Sequence, residues 1–393
     1  MKKDLVNEFD LIDSVIVHEP SNEIAQMKFE NLNSEDKEKY LLFDDILYYE
    51  KAEKEHKKFT DIIKVFTNKE NCFELAELLR EILCNKKIRK DFVSDIGCSS
   101  ANSDNCDSII FTVPIGDNYQ SLPLPNIMFT RDLGVSIGNS MIITWASNKV
   151  RNPENIIAKH IIKNHSLFSG YDIYDFHENH PELAFEGGDV TLINKETVAI
   201  GVSERTSKAS VEAITPFLHK NGIKYIMCFN MPKERRFMHL DTVFSVINKK
   251  EALIYPPFFE NGNSQELDVD IIKTSKSGSL SSATLKASSA FKEIGIEFNF
   301  IRCGGEHFQE EEQWTDGANA FCLCPGVIIL YDRNTQTILD LEKHGYKKIS
   351  ANDFLALDNF DRSQKTVITI ESGELSRGRG GPRCMTMPIN RIK

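Results

Sequence analysis

The chain has 393 residues and a formal net charge of −11 at pH 7. This acidic balance disfavours general nucleic-acid binding, which needs a basic surface, and no apolar run approaches the roughly 20 residues that cross a bilayer. Hydrophobic residues make up 41% of the sequence, enough for a substantial core. The nine cysteines are scattered and odd in number, as is typical of reduced thiols, and the N-terminus lacks a secretory signal. We therefore expect a cytoplasmic globular protein.

The N-terminal part of the chain combines a short strand with a long amphipathic helix. The β-branched run "SVIVHEP" predicts the strand, and "FDDILYYEKAEKEHKKFTDIIKVF" has apolar residues at helical spacing with charges between them. The segment from Cys72 to Cys106 is helical and then polar, and its end at residues 97–107 is typical of a loop. This segment predicts an insertion between two strand-bearing regions.

Strands and helices are interleaved over the rest of the chain. Asn152 as N-cap and Pro153 in the first turn predict a helix over "NPENIIAKHIIKNH". Two more helical patterns, "SKASVEAITPFLHKNG" and "SATLKASSAFKEIG", end at Gly222 and Gly295. The predicted strands are "SIIFTVP", "GVSIGNSMIITW", "TVAIGV", "KYIMCFN", "TVFSVI", "ALIYPP", "GVIILY" and "KTVITI". Such interleaving predicts an α/β or α+β fold.

Four internal segments, "NIMFTRD", "FEGGDV", "SERT" and "MHLDT", combine ionisable residues with turn or strand contexts. Each has a plain structural interpretation, such as a surface ion pair or a solvated turn. His239 and Asp241 differ, because they alternate along a segment that continues apolar as "TVFSVI". We predict a strand buried on both faces there, in which a His and an Asp need partners, so a functional pair is favoured as much as a structural one.

The C-terminal segment "SRGRGGPRCMTMPINR" places Cys384 behind glycines and three arginines. Glycines allow the backbone to approach a ligand closely, and arginines favour the thiolate form of a cysteine. A reactive nucleophile is one interpretation, and an inert buried cysteine is the other. Cysteine, histidine and acids imply nucleophilic catalysis only if the fold brings them together.

Six segments, in this order and at comparable intervals, resemble the arginine deiminases: "LPNIMFTRD", "FEGGDV", "VSERT", "MHLDTVFS", "EQWTDGANAFCLCPGV" and "GRGGPRCMTMPINR". The resemblance covers nearly the whole chain and is interrupted mainly between Cys72 and Ser121. It implies an α/β fold, the pentein fold, in which ββαβ units form a pseudo-fivefold propeller with a small helical insertion. We therefore expect a catalytic domain over residues 1–70 and 120–393 and a shortened helical insertion over 71–119.

The resemblance also implies that the protein hydrolyses L-arginine to L-citrulline and ammonia, without a metal or an organic cofactor. A guanidinium group is a planar cation that carboxylates can hold in bidentate fashion. The resemblance implies that Cys384 is the nucleophile, through a covalent thiouronium intermediate, and that His239 carries protons. Asp132 and Asp241 would bind the guanidinium group, and Glu186 would bind it and transfer protons. Arg205, Arg379 and, from its interval, Arg151 would bind the substrate carboxylate, while Asn126 and Phe129 would line the pocket.

Two other functions stay open at this point. An amidinotransferase would use the same Cys, His and acids but transfer the amidino group to an amine. A non-catalytic arginine-binding or regulatory protein would keep the pocket without turnover. In each case the expected partner is a small molecule rather than a nucleic acid or a membrane, and a homodimer or larger homo-oligomer is open.

Overall fold

The computed structural model describes residues 5–32, 35, 40–96, 112–115, 120–274 and 280–393. The whole of the loop predicted at residues 97–107 lies outside them. The strands in the described ranges are β1 (Leu11–Val17), β2 (Cys72–Glu74), β3 (Thr112–Ile115), β4 (Gln120–Pro123), β5 (Gly134–Ile137), β6 (Ser140–Ile143), β7 (Asp172–Asp175), β8 (Val190–Asn194), β9 (Thr197–Val202), β10 (Tyr225–Asn230), β11 (Phe244–Asn248), β12 (Glu251–Ile254), β13 (Asp268–Thr274), β14 (Leu280–Lys286), β15 (Asn299–Arg302), β16 (Phe321–Cys324), β17 (Val327–Tyr331), β18 (Lys347–Ser350), β19 (Thr366–Ile370) and β20 (Met387–Ile392).

Helices connect these strands. They are α1 (Asn22–Ala25), α2 (Tyr49–Phe66), α3 (Leu75–Leu83), α4 (Lys86–Ile96), α5 (Asn152–Asn164), α6 (Phe176–Asn179), α7 (Lys208–Lys220), α8 (Pro256–Phe259), α9 (Ala287–Glu293), α10 (Gln309–Trp314), α11 (Thr335–Lys343) and α12 (Ala351–Leu355). None of these helices, which all lie in the described ranges, is long and apolar enough to cross a membrane.

One strand arrangement recurs through the chain: an antiparallel pair followed, after a helix, by a parallel strand. β5 and β6 pair antiparallel, and β7 returns after α5 to pair parallel with β6. The strands β8, β9 and β10 repeat this around α7, and β11, β12 and β15 repeat it with α9 in the crossover. β16, β17 and β19 do the same, with β18 beside β19. Parallel pairing requires such a crossover, so each ββαβ unit is compact in sequence.

The fifth unit joins the two ends of the chain. β20 pairs antiparallel with β1, and β1 pairs parallel with β2 after α2. The C-terminal strand therefore takes the place of the missing first strand in the N-terminal unit. This completes the predicted pseudo-fivefold arrangement of ββαβ units and confirms the predicted α/β fold class.

The first strand pairs of the units form the buried centre of the molecule. Every residue of β5, β6, β16, β17 and β19 is buried, as expected for strands covered on both faces. The helices α3 and α4, from the predicted insertion, contribute buried side chains to the same hydrophobic cluster as β1 and α5. Residues 97–111 and 116–119 of that insertion lie outside the described residues, so its boundaries stay a prediction.

Three local predictions are wrong. The helix predicted over "SATLKASSAFKEIG" begins only at Ala287, because the preceding residues extend a hairpin with β13. Asn152 is the first residue of α5 rather than its cap, and its side-chain oxygen is buried without a hydrogen-bond partner in the part of the chain that the structure describes. His239 and Asp241 do not lie in a strand, since residues Leu240–Thr242 form a 3-10 turn and the strand starts at Phe244.

Candidate active site

A turn stands immediately before the first strand of every unit, and each turn brings a polar side chain to the same place. The residues are Asp132 before β5, Glu186 before β8, Asp241 before β11, Asn319 before β16 and Cys384 before β20. All five are buried. The pseudo-fivefold repeat therefore explains why residues as far apart in sequence as Asp132 and Cys384, 252 positions from each other (384 − 132), can form one site.

The turn that carries Cys384 depends on close packing of its glycines. A Cβ added to Gly380 would lie 2.3 Å from the ring of Phe129, and one added to Gly381 would lie 2.6 Å from Asn319 Oδ1. Arg379 precedes these glycines with a left-handed backbone, at φ 65°. The glycines are therefore needed because the turn touches both the cavity wall and the neighbouring unit.

The Cys384 thiol lies between an acid and an amide. Its Sγ is 3.6 Å from Asp241 Oδ2, and Asn319 Nδ2 donates to Sγ at 3.2 Å. Burial raises the pKa of Cys384 well above its ordinary value, and the negative charges of Asp241, Asp132 and Asp316 raise it further. The thiol is therefore protonated at neutral pH in this arrangement.

His239 is held between two carboxylates. Its Nε2 lies 2.9 Å from Glu186 Oε2, and its Nδ1 lies 3.6 Å from Asp132 Oδ1. Burial alone would lower the pKa of His239, but the charges of Asp132, Asp189 and Glu186 and the hydrogen bond that the imidazole donates to Glu186 outweigh it and raise that pKa to about 10. The imidazole is therefore a charged proton donor at neutral pH.

Glu186 is ionised despite complete burial. Burial would raise its pKa, but Arg205, His239 and Arg151 hold that pKa well below its usual range. The Nη1 atoms of Arg205 and Arg151 lie 3.6 and 3.8 Å from Glu186 Oε2, and the backbone N–H of Ser147 donates to Oε1 at 2.8 Å. The carboxylate is thus fixed in position by several donors.

Asp132 and Asp241 are each oriented by one buried arginine. Arg151 Nη1 lies 2.6 Å from Asp132 Oδ2, while the backbone N–H of Gly188 donates to Oδ1 at 3.1 Å. Arg383 Nη1 lies 2.8 Å from Asp241 Oδ2. The other oxygen of Asp241, Oδ1, is buried and has no hydrogen-bond partner among the described residues. That oxygen is available to a ligand with N–H donors.

A narrow cavity opens beside these groups. Eight of the ten predicted site residues line it: Asn126, Phe129, Asp132, Arg151, Arg205, His239, Arg379 and Cys384. Glu186 and Asp241 do not line it, because they lie fully buried behind His239 and Cys384, which they contact. The structure thus brings all ten residues to one cavity or directly behind its wall.

The predicted carboxylate-binding arginines differ in how far the protein already occupies them. The Nε atoms of Arg205 and Arg379 are buried without a hydrogen-bond partner among the described residues. Arg379 stacks on the Trp314 ring, with its guanidinium carbon 3.4 Å from the ring centre. Arg151 instead contacts Asp132, Glu154 and Glu186, so its charge is already balanced.

Asp132, Glu186 and His239 could converge on a metal ion, since their ligand atoms lie within 4.8 Å of one another. However, Arg151 lies within 4 Å of both carboxylates, and the high pKa of His239 favours a proton on the imidazole. An imidazole binds a metal ion only in its neutral form, without the second ring proton. This donor set therefore suits a planar organic cation better than a metal.

Sequence reasoning did not assign the residues that support this site. Asn319 contacts Cys384, Arg383 binds Asp241, and Trp314 stacks on Arg379. All three lie inside segments that carry the resemblance, "EQWTDGANAFCLCPGV" and "GRGGPRCMTMPINR". Leu42 and Arg235 also line the cavity, and no motif in the sequence pointed to Arg235.

Comparison with known proteins assigns the chain to a family. The chain is 31% identical to the arginine deiminase of Bacillus cereus (strain B4264), over 98% of both chains, and 31% identical to that of Mycoplasma capricolum subsp. capricolum, over 99% of this chain and 97% of the relative. Among solved structures, the amidinotransferase SxtG of Microseira wollei, from the saxitoxin biosynthetic pathway, matches 100% of this chain and 98% of its own. The TM-score is 0.56 and the sequence identity is 13%, so this match shows a shared fold alone. The family model for arginine deiminase matches residues 88–391. The chain belongs to the arginine deiminase family.

Proposed function

We propose that this protein is an arginine deiminase that converts L-arginine and water into L-citrulline and ammonia. The observation that carries this proposal is one cavity at which a buried cysteine, a charged His–Glu pair and two oriented aspartates meet. Such a set can bind a guanidinium ion and attack its carbon. Membership of the family supports the same reaction.

Binding of the guanidinium group is assigned to Asp132, which lines the cavity, and to Asp241 and Glu186, which lie directly behind Cys384 and His239 in its wall. Asp241 offers the unpartnered Oδ1, and Asp132 and Glu186 present oxygens that are already oriented by backbone N–H donors. At about 3 Å and an effective dielectric near 20, each charge pair contributes about 5 kcal/mol before desolvation is subtracted. The neutral urea group of citrulline lacks this attraction, so citrulline binds more weakly than arginine and is released.

The bound cation also supplies the activation that Cys384 lacks. Asp241 and Asp132 raise the pKa of the thiol, so a guanidinium ion that neutralises their charge favours the thiolate. The proton of the thiol passes to water as the thiolate forms, and Sγ then bonds to the guanidinium carbon. His239 gives its proton to the departing nitrogen, ammonia leaves, and a thiouronium intermediate remains on Cys384.

Hydrolysis of that intermediate uses the same groups in reverse. His239, now neutral, takes a proton from a water molecule, whose oxygen bonds to the thiouronium carbon. The carbon–sulfur bond breaks, the hydroxyl proton of the adduct passes to the departing sulfur, and L-citrulline and the Cys384 thiol are formed. Glu186 stabilises the protonated imidazole in both half-reactions, since it lies 2.9 Å from His239.

The amino-acid end of the substrate is assigned to the outer part of the cavity. The Nε atoms of Arg205 and Arg379 have no hydrogen-bond partner among the described residues, although they lie 3.5 Å from Glu204 Oε1 and 3.9 Å from Asp44 Oδ2, so they can donate to a carboxylate. Asn126 and Phe129 line the wall beside the alkyl chain. We assign Arg151 to holding Asp132 and Glu186 in place, because its nitrogens already contact both.

The proposed working form needs no metal or organic cofactor, because each step uses groups of this chain and water. The seven cysteines within the described ranges are all free thiols, which supports a cytoplasmic location, and a homodimer or larger assembly is compatible with the site. An amidinotransferase is a second candidate, since SxtG shares the fold.

The test is to incubate the pure reduced protein with L-arginine and measure citrulline and ammonia together. We expect equal amounts of both, and a loss of at least about 10³-fold in Cys384→Ala. Cys228→Ala is the matched control, because Cys228 is a buried thiol in β10, and it should keep turnover. Absence of citrulline from the wild type contradicts the proposal. Formation of a new guanidino compound without ammonia, when glycine or ornithine is added, identifies an amidinotransferase.

A further inference from the structure

Asn319 occupies, in the fourth ββαβ unit, the position that an assigned site residue occupies in each of the other four. Asp132, Glu186, Asp241 and Cys384 each stand in the turn before the first strand of their unit, and Asn319 stands two residues before β16. Its side chain is fully buried. The symmetry of the fold therefore directs attention to a residue whose part in the proposed reaction is unassigned.

The contacts of Asn319 fix the orientation of its amide. Oδ1 accepts hydrogen bonds from the backbone N–H of Arg383 at 2.9 Å and of Cys384 at 3.2 Å. A backbone N–H can only donate, so the oxygen of the amide must face these two groups. Nδ2 must then face the other side, where it donates to Cys384 Sγ at 3.2 Å and to the carbonyl oxygen of Asp241 at 3.0 Å.

This N–H donor acts where the surrounding charges oppose ionisation of the thiol. Asp241, Asp132 and Asp316 raise the pKa of Cys384, and the backbone N–H of Gly381 lowers it. A hydrogen bond from a neutral N–H is stronger to a thiolate than to a thiol, so it favours the charged form. Unlike an arginine or a lysine, an amide does this without repelling a guanidinium ion.

We propose that Asn319 stabilises the thiolate of Cys384 and aims its sulfur into the cavity. The inference deepens the proposed function, since it concerns the nucleophile of that reaction. Asn319 does not line the cavity itself, so its effect is on the reactivity of the sulfur and not on substrate binding. Removal of the amide should lower kcat and leave KM nearly unchanged.

The experiment measures alkylation of Cys384 by iodoacetamide in the intact protein at pH 8, with the Cys384 peptide quantified by mass spectrometry. The alkylation rate is proportional to the thiolate fraction, and below the pKa of the thiol that fraction falls tenfold for each unit by which the pKa rises. A lost hydrogen bond to a charged group corresponds to a rise of about one pKa unit, so Asn319→Ala should react about tenfold more slowly. This readout needs no turnover, and it tests the inference even if the wild type makes no citrulline.

Two variants separate stabilisation of the thiolate from simple support of the turn. Asn319→Asp keeps an oxygen for both backbone N–H groups but places a negative charge against Sγ, so it should react more slowly than Asn319→Ala. Asn334→Ala is the matched control. The Asn334 side chain exchanges two hydrogen bonds with Thr315, at the start of the segment that leads to Asn319, and it does not touch the sulfur. Its alkylation rate should stay within twofold of wild type.

Three outcomes would overturn the proposal. They are an Asn319→Ala rate within twofold of wild type, an Asn319→Asp rate above that of Asn319→Ala, and an equal loss in Asn334→Ala. The second outcome would mean that only the two accepted hydrogen bonds matter. The third would mean that the geometry of the turn, and not the amide donor, sets the reactivity of Cys384.

Discussion

Replacement of Glu186 by glutamine tests the electrostatics of the site most directly. Gln keeps an oxygen for the Ser147 N–H but removes the negative charge 2.9 Å from His239 Nε2. Asp132 and Asp189 still act on the imidazole, whose pKa is about 10 with Glu186 in place. Removal of one adjacent charge shifts a pKa by about one to three units, so we expect His239 to titrate between about pH 7 and 9 in the variant.

The consequence for catalysis has a definite sign. In the wild type His239 stays protonated up to about pH 10 and can give its proton to ammonia, whereas in Glu186→Gln that donor is lost as pH rises through the lowered pKa. Together with weaker guanidinium binding, this should reduce kcat/KM by at least about 10²-fold.

The assay is an NMR titration of protein labelled at the histidine Cε1 position, with the His239 signal assigned from a His239→Gln sample. Glu154→Gln is the control, because Glu154 contacts Arg151 but not His239. A His239 pKa in Glu186→Gln within about 0.5 units of the wild-type value, or an equal shift in Glu154→Gln, would refute the electrostatic account.

Three further predictions concern support of the site and of the fold. Arg383→Met should lower the free energy of unfolding by about 3–5 kcal/mol in urea titrations, because it leaves buried carboxylates, including Asp241, without their cation; a loss below 1 kcal/mol would contradict this. Gly188→Ala should reduce kcat at least tenfold with little change in melting temperature, because its Cβ would lie 2.5 Å from His239 Nδ1; kcat within twofold of wild type would count against it. His18 has a pKa of about 10, since the attraction of Glu74 and Glu23 outweighs burial, so its stabilising effect is complete below pH 6.5 and is lost as pH rises towards 10. His18→Gln should therefore flatten the fall in unfolding free energy between pH 7 and 9, by up to about 1.4 kcal/mol per pH unit, and an unchanged slope would exclude this origin.

Much of the fold could be predicted because its elements are locally encoded. The run "GVIILY" is apolar at every position of β17, and α2 has charged residues between apolar ones at helical spacing. The errors arose where a tertiary partner decided the structure. "SATLK" pairs with β13 as a strand, although its residues fit a helix equally well. The hydrogen bond that the Leu240 N–H donates to Asp189 Oδ1 holds the "HLDT" segment in a turn.

The sequence by itself determined which residues enter the site, because the ordered motifs name a cysteine, a histidine and three acids. It did not determine their charge states, since a pKa depends on burial and on groups that are distant in sequence. Burial and the charges of Asp241 and Asp132 raise the pKa of the Cys384 thiol, and the charges of Asp132, Asp189 and Glu186 raise that of His239, only in the folded chain. The tertiary structure alone placed the five turns together, since β20 must return to β1 before the units can surround one cavity.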